Sequence, residues 1–307
     1  MSAWSAPAVT ESAPLISVVI PTYQRASNLR PCLEALKNLH DKTGTFEVII
    51  VDDGSEQSPE LVVNEFTDHL NIRCLVRPHE GVSVARNAGA EKARGRFLAF
   101  IGDDCIVSTD WLEAFTANAG DSVLGGGIDN GFPDSALTQA THLLIEHICQ
   151  YWPSVNDNLR FFTPNNMLVP IDSFREVGGF DPIFHWSTGE DRDFCSRLAD
   201  IGVKLNDCPE ARVTHYHRLS LTGFFRTHWR YGIGSYHFRK RRITRTDRRF
   251  FTHPLAFYGS LILAPLKDGG IKSLHLSMLL ALSQAINSSA MVWAWSADRL
   301  VKNDRPD

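Results

Sequence analysis

Short apolar runs alternate with helically spaced apolar positions through the first third of the chain. Residues 16–20, 46–51, 72–76 and 97–101 each read as a strand, the first ended by Pro21 and the second by Asp52-Asp53-Gly54-Ser55. Between them, Leu29, Leu33, Leu36 and Leu39 recur at helical spacing over 26–39. Residues 58–70 open on Ser-Pro, a common helix start, and 82–94 form a third helical stretch. The run 97–101, Phe-Leu-Ala-Phe-Ile, is apolar on both faces, as strands buried in parallel sheets are. This alternation predicts an α/β fold with a doubly wound, mostly parallel sheet flanked by helices and joined by right-handed crossovers.

The pattern loosens afterwards. A short helix is expected over 111–118, a Gly-rich strand over 123–128, a helix over 137–151 and a strand over 161–169. A short helix over 171–177 is closed by Gly178-Gly179, a helix covers 190–201, and extended residues reach His217. From Leu219 the chain reads as helical, first aromatic and basic and then apolar. The expected organisation is a flexible tail (1–14), an α/β domain (15–218, with halves 15–105 and 106–218) and a helical C-terminal extension (219–307). The tail is rich in Ser, Ala and Pro, with no basic start and no apolar stretch of a signal peptide.

Composition narrows the class. The chain has 307 residues, 43% of them hydrophobic, enough for one sizeable core, and a net charge of −4 that gives no reason to expect nucleic acid. The charge is uneven, because nine Arg or Lys stand against one Asp over 226–249. Six cysteines without a CxxC pair fit a reducing compartment, so the expected location is the cytoplasm. Residues 250–266 and 273–297 hold no Asp, Glu, Lys or Arg. The second run is long enough to span the ~30 Å of a bilayer core, but His275, Gln284 and Asn287 suit a helix lying in the interface better. That reading puts Trp293 and Trp295 at headgroup depth and 219–307 against the cytoplasmic face of a membrane; a soluble cap or a dimer surface is the alternative.

In a parallel sheet the strand ends converge on one rim. Strand one delivers Pro21-Thr22-Tyr23-Gln24-Arg25, strand two Asp52-Asp53 and strand four Gly102-Asp103-Asp104. Ligands of open α/β sheets bind in the crevice beyond such ends. Adjacent carboxylates there call for a proton or a cation, and a hard divalent metal carrying phosphates meets that need. Glu190 and Asp191 open a helix whose apolar face is Phe194, Cys195, Leu198 and Ile201. His215 and His217 sit two apart in an extended segment, so only one is expected to face the site.

These residues carry a resemblance. Val18-Val19-Ile20-Pro21-Thr22-Tyr23, Val51-Asp52-Asp53-Gly54-Ser55, Gly81 to Gly89 (GVSVARNAG), Phe100 to Asp104 (FIGDD), Val177-Gly178-Gly179-Phe180-Asp181 and Gly189-Glu190-Asp191 follow in the order seen in family 2 glycosyltransferases of GT-A fold. The chain resembles that family over 16–217. The resemblance implies an inverting glycosyltransferase that moves a sugar from a nucleotide-diphosphate donor to a glycan or lipid-linked acceptor in cell-surface polysaccharide synthesis. A non-catalytic nucleotide-sugar-binding scaffold subunit is the alternative.

The same resemblance implies roles. Pro21, Thr22, Tyr23 and Arg25 would meet the nucleotide, with Asp52 or Asp53 accepting hydrogen bonds from base or ribose. Arg86 and Asn87 would lie near the nucleotide-sugar. Asp104 would be the main ligand of a Mn²⁺ or Mg²⁺ ion, with Asp103 and His215 assisting. Asp191, with Glu190 beside it, would be the general base that deprotonates the acceptor hydroxyl. Trp186, Asn165 and Asn166 are acceptor-binding candidates; an ordinary core Trp and turn asparagines stay open as the alternative. The departure is Gly102, which stands where the family's Asp-x-Asp commonly begins, so Asp103 or a water would have to substitute.

Overall fold

Parallel register carries the strand-end motifs to one rim. The structure is a computed structural model that describes residues 13–40, 46–155, 159–185, 188–246 and 253–303. Trp186 and nearly all of the expected tail lie outside the described residues. Strands β1 (Ile16–Thr22), β2 (Phe46–Asp52), β3 (Ile72–Val76) and β4 (Phe97–Ile101) are mutually parallel in the order β3-β2-β1-β4. Thr22 lies opposite Asp52, and Val19 opposite Phe100, so β1, β2 and β4 end at nearly one level. Helices α1 (Ala26–Lys37) and α3 (Val82–Lys92) complete the crossovers. The helix expected over 58–70 is only α2 (Glu60–Asn64), continued as turns that still bury Val63, Phe66 and Leu70.

The second half is mixed rather than parallel. Among the described residues the sheet has eight strands, continuing from β4 through β7 (Asn166–Pro170), β6 (Val123–Asn130), β8 (Leu205–His215) and β5 (Cys105–Val107). Pairs β4–β7, β6–β7 and β5–β8 are antiparallel, and β6–β8 is parallel. Strand β5 starts a few residues after β4 yet lies at the far edge of the sheet. The sheet therefore curls, and the turn Gly102-Asp103-Asp104 bridges its parallel half to its last strand. Pairing of Cys105 with His215 then sets the end of β8 beside Asp104.

Alternation along each strand feeds two cores. Val18, Ile20, Val48, Ile50 and Ala99 face α1 and helix α4 (Trp111–Asn118), against Leu33, Trp111 and Phe115. Val19, Ile49, Val51, Leu98 and Phe100 face the other layer. That layer holds α5 (Ala136–Val155), α6 (Ile171–Glu176) and α7 (Glu190–Asp200). It also holds Phe224, Phe257 and Leu280 from α8 (Leu221–Thr246), α9 (Leu255–Leu263) and α10 (Gly270–Asn303), so the C-terminal helices share a core with the α/β half.

Part of the basic run is neutralised inside the molecule. Arg241 pairs with Asp181 at 2.8 Å, Arg245 with Asp193 at 3.0 Å and Asp200 at 2.8 Å, and Lys240 with Asp298 at 2.5 Å. Arg239 and Arg242 are buried. Helix α10 is long and apolar enough to cross a membrane, and 33% of its most apolar window is buried against the protein. Its outward face exposes Ile271, Leu274, Met278, Val292 and Trp293.

One side chain fastens the mixed half. Asn166, 1% exposed, accepts from Trp111 Nε1 at 2.9 Å and donates to Gly127 O at 2.8 Å and Ala211 O at 2.7 Å. Both amide protons are used, which leaves Asn166 to join β6, β7, β8 and α4 rather than to meet an acceptor. Asn166→Ala strands two buried polar groups and one part-buried carbonyl and is expected to cost about 3 kcal/mol in urea unfolding. A loss below about 1 kcal/mol would contradict this role.

Candidate active site

The rim is a cluster of acids closed by an arginine and two histidines. Thr22 Oγ1 donates to Asp103 Oδ2 at 2.7 Å, as the aligned ends of β1 and β4 require. Arg25, just past β1, reaches Asp103 at 3.1 Å and Asp104 at 3.0 Å. His215 Nε2 lies 3.2 Å from Asp104 Oδ1, and His217 Nδ1 lies 3.4 Å from Asp104 Oδ2. The expectation that only one histidine faces the site is thus corrected. Strand β8 ends at His215, so strand alternation no longer governs His217, and the backbone N–H of Tyr216 donates to Asp104 O at 2.8 Å.

Their partners, not burial, set the two carboxylates apart. Burial pushes Asp103 up to about 6; Arg25 opposes that rise and Asp104 adds to it. Asp104 is buried too, but hydrogen bonds from His215 and His217 and the charge of Arg25 outweigh burial and hold it well below the usual carboxylate range. The donor set fits a divalent cation: the ligand atoms of Asp104, His215 and His217 all lie within 4.8 Å of one another. Gly102 packs against that set through Asp104. A Cβ there would stand 2.9 Å from Asp104 Oδ1 and 3.2 Å from Asn165 Oδ1, so a side chain at 102 would press on the Asp104 carboxylate. Asp103 supplies the carboxylate beside Thr22.

The end of the rim at β2 is braced by Asp53. Its carboxylate accepts from the backbone of Glu80 at 2.9 Å and Gly81 at 3.0 Å and lies 2.8 Å from His79 Nδ1. Asp52 is fully buried and accepts from Ser55 N at 3.0 Å. Tyr23 stacks on His79 at 4.0 Å with the rings 10° from parallel, both partly exposed. No pattern in the sequence marked His79, a lone histidine in a loop.

At the other end, α7 starts at Gly189, held at φ 93°. Arg86 Nη1 donates to Glu190 Oε1 at 2.9 Å, with both side chains 3% exposed. Asp191 is half-buried; burial and then the neighbouring charge of Glu190 push it up to about 6, against the pull of Arg192. Burial thus outweighs the helix dipole that alone would lower it. Asn87 donates to Phe180 O at 2.7 Å and accepts from Phe180 N at 2.8 Å, so its amide secures the Gly178-Gly179-Phe180 turn.

One cleft of about 990 Å³ joins these parts. Pro21, Thr22, Tyr23, Arg25, Asp53, Arg86, Asp103, Asp104, Asn165, Asn166, Glu190, Asp191, His215 and His217 line it; Asp52 and Asn87 do not. Helix α5 adds Thr141, His142 and Glu146, and α8 adds Thr227, Arg230, Tyr231 and Ser235. The α8 residues were missed, although the interleaved aromatic and basic pattern of 224–231 singled that stretch out.

Comparison with known proteins agrees with this geometry. A family model described as Glycosyl transferase family 2 matches residues 17–178, and one described as Glycosyl transferase family group 2 matches 138–297. Among curated relatives, the pre-mycofactocin glycosyltransferase of Mycobacterium tuberculosis is 32% identical over 215 residues, covering 67% of this chain and 43% of its own. Glycosyltransferase AglE of Haloferax volcanii is 28% identical over 202 residues, 64% of this chain and 65% of its own. Validoxylamine A glucosyltransferase of Streptomyces hygroscopicus is 30% identical over 234 residues, 65% of this chain and 54% of its own. The match thus spans roughly half to two thirds of each relative. In fold, the chain is similar to mannosyltransferase PcManGT of Pyrobaculum calidifontis in complex with GDP-Man and Mn²⁺, with a TM-score of 0.58 and 16% identity over 97% of this chain and 84% of that one. It is also similar to S. aureus TarS 1-349 in complex with UDP-GlcNAc, with a TM-score of 0.52 and 16% identity over 93% of this chain and 91% of that one. These neighbours establish the GT-A fold.

Gly102→Ala tests the cation site. The added methyl presses on Asp104 Oδ1 and is expected to weaken Mn²⁺ binding in calorimetry by about tenfold, near 1.4 kcal/mol. Unchanged affinity in a folded variant would put the ion elsewhere.

Proposed function

The chain belongs to glycosyl transferase family 2, and from that premise we propose that it transfers a sugar from a nucleoside-diphosphate sugar to an acceptor hydroxyl, with inversion at the anomeric carbon. The observation that carries this reading is a single cleft with a cation set at one end, Asp104, His215 and His217, and a carboxylate raised into the working range of a base, Asp191, also on its wall. The acceptor is a glycan or a lipid-linked sugar, which a cleft of about 990 Å³ has room for beside a nucleotide.

Each residue has a task. Tyr23 and His79 offer ring faces to the base. Asp104, His215 and His217 would hold the divalent ion, which supplies charge neutralisation for the leaving diphosphate. Two imidazole nitrogens favour a first-row transition ion such as Mn²⁺ over the oxygen-seeking Mg²⁺. Arg25, half-exposed and already cationic at the rim, is placed to turn from the aspartates to a phosphate oxygen. Asp191 accepts the proton of the acceptor hydroxyl as that oxygen attacks the sugar. Glu190, fixed by Arg86, keeps a negative charge beside Asp191 and so keeps it basic.

The expected result is release of a nucleoside diphosphate from one of a panel of nucleotide-sugars with Mn²⁺ and acceptor present. Asp191→Asn is expected to lower transfer about 10²- to 10⁴-fold while donor binding holds. The pH–rate profile of wild type should fall on the acid side of about 6. The sign for stability is opposite to that of an ion-paired carboxylate. Unfolded, Asp191 titrates near the ordinary value of about 3.9. Stability is therefore lost as pH rises from there through about 6, and Asp191→Asn should melt higher than wild type at pH 7.5. Wild-type transfer rates in the Asn variant would overturn the base assignment.

A further inference from the structure

Helix α8 runs between the loop that carries the base and helix α10, and glycines set both clearances. A Cβ on Gly234 would stand 2.1 Å from Thr188 O and 2.6 Å from the carbonyl carbon. From the other side, a Cβ on Gly189 would stand 2.8 Å from Gly234 O. The two backbones are in direct contact, and the nearest atoms on both sides are backbone, with Thr188 Oγ1 behind them at 2.7 Å. Opposite, a Cβ on Gly232 would stand 2.2 Å from Asn287 O and 2.7 Å from Ala290 Cβ, so α8 cannot retreat toward α10. The residues after Gly189 are Glu190 and Asp191, the first turn of α7.

Helix α7 is tied to α8 at further points along its length. Arg192 Nη1 donates to Ser235 Oγ at 3.3 Å. Arg245, at the far end of α8, donates to Asp193 Oδ1 at 3.0 Å, Ser196 Oγ at 2.8 Å and Asp200 Oδ2 at 2.8 Å. Tyr231, on the cleft wall of α8, is pushed up to about 12 by burial and then by the charge of Asp191, which places the phenol in the field of the base.

We propose that Gly234 is a positioning residue for Asp191: α8 is the seat against which loop 188–189 is pressed, and that contact fixes the depth at which the base is held. The idea rests on the reading of Asp191 as the base, and it extends the active site into the C-terminal helices. Any side chain at 234 lifts the loop and opens Asp191 to water. The donor end of the cleft, on β1, β2 and β4, is left as it was.

The experiment compares wild type with Gly234→Ala, using full chain, Mn²⁺ and the donor found by the screen. The expected result is a kcat at least tenfold lower, a donor KM within twofold of wild type, and an acid limb moved from about 6 toward the ordinary carboxylate range near 4. A variant that is merely less stable would lose active fraction without moving the limb. Carbon-detected NMR titration of the Asp191 carboxyl, with no donor present, reads the same downward shift without turnover. An unmoved Asp191 titration in folded Gly234→Ala overturns the proposal even if wild type transfers sugar. A wild type that transfers none overturns the functional reading, while the titration still decides the positioning claim. Should Gly234→Ala fail to fold, Arg245→Gln loosens the same helix pair without a clash. It should shift the titration in the same direction by a smaller amount, and no shift there overturns the proposal.

Discussion

Two carboxylates side by side beneath a protein surface need cations or protons, and the rim of this sheet is organised by that requirement. Asp103 and Asp104 sit in the turn that bridges the parallel half of the sheet to its last strand. Arg25 arrives from β1, His215 and His217 from the end of β8, and Thr22 supplies a hydroxyl. Arg25 and the histidine pair come from distant parts of the chain, so folding the sheet assembles the site. Ion pairs this buried add little net stability, because desolvation offsets the attraction. Their value here is a preformed charge pattern that a metal and a diphosphate can take over.

The parallel half was legible because its physics is periodic. Runs such as Val18-Val19-Ile20 and Phe97 to Ile101 have no polar face to hide, so only a buried sheet accommodates them. Strand β5 escaped notice because Cys105-Ile106-Val107 is too short to show a period and gains its partner from β8, about a hundred residues away. His217 was misjudged by extending strand alternation past the point where the strand stops. The resemblance put Asn87 near the nucleotide-sugar, and Asn166 was an acceptor candidate. Asn87 is held by the backbone of Phe180, and Asn166 by Trp111 and two carbonyls, partners too distant in sequence to show there. Arg241 and Arg245 of the basic run likewise meet acids far away in sequence, Asp181 and Asp193, which composition could not show.

Stability and function pull against each other at Asp191. A carboxylate pushed up to about 6 by burial is a strained acid, and the fold tolerates it because α7 is anchored elsewhere. Arg197 and Arg245 clamp Asp193, Arg86 holds Glu190, and the glycine contact with α8 sets the loop before it. The C-terminal helices therefore do more than cap the sheet. They share its core and supply one wall of the cleft.

The most direct test of this account is anomalous diffraction from crystals grown with Mn²⁺ and a nucleoside diphosphate. The expected result is one strong manganese peak in coordination contact with Asp104, His215 and His217, with Arg25 turned away from Asp104 toward the diphosphate. A peak that leaves both imidazoles unligated, or a bound diphosphate with Arg25 still bridging Asp103 and Asp104, would contradict it.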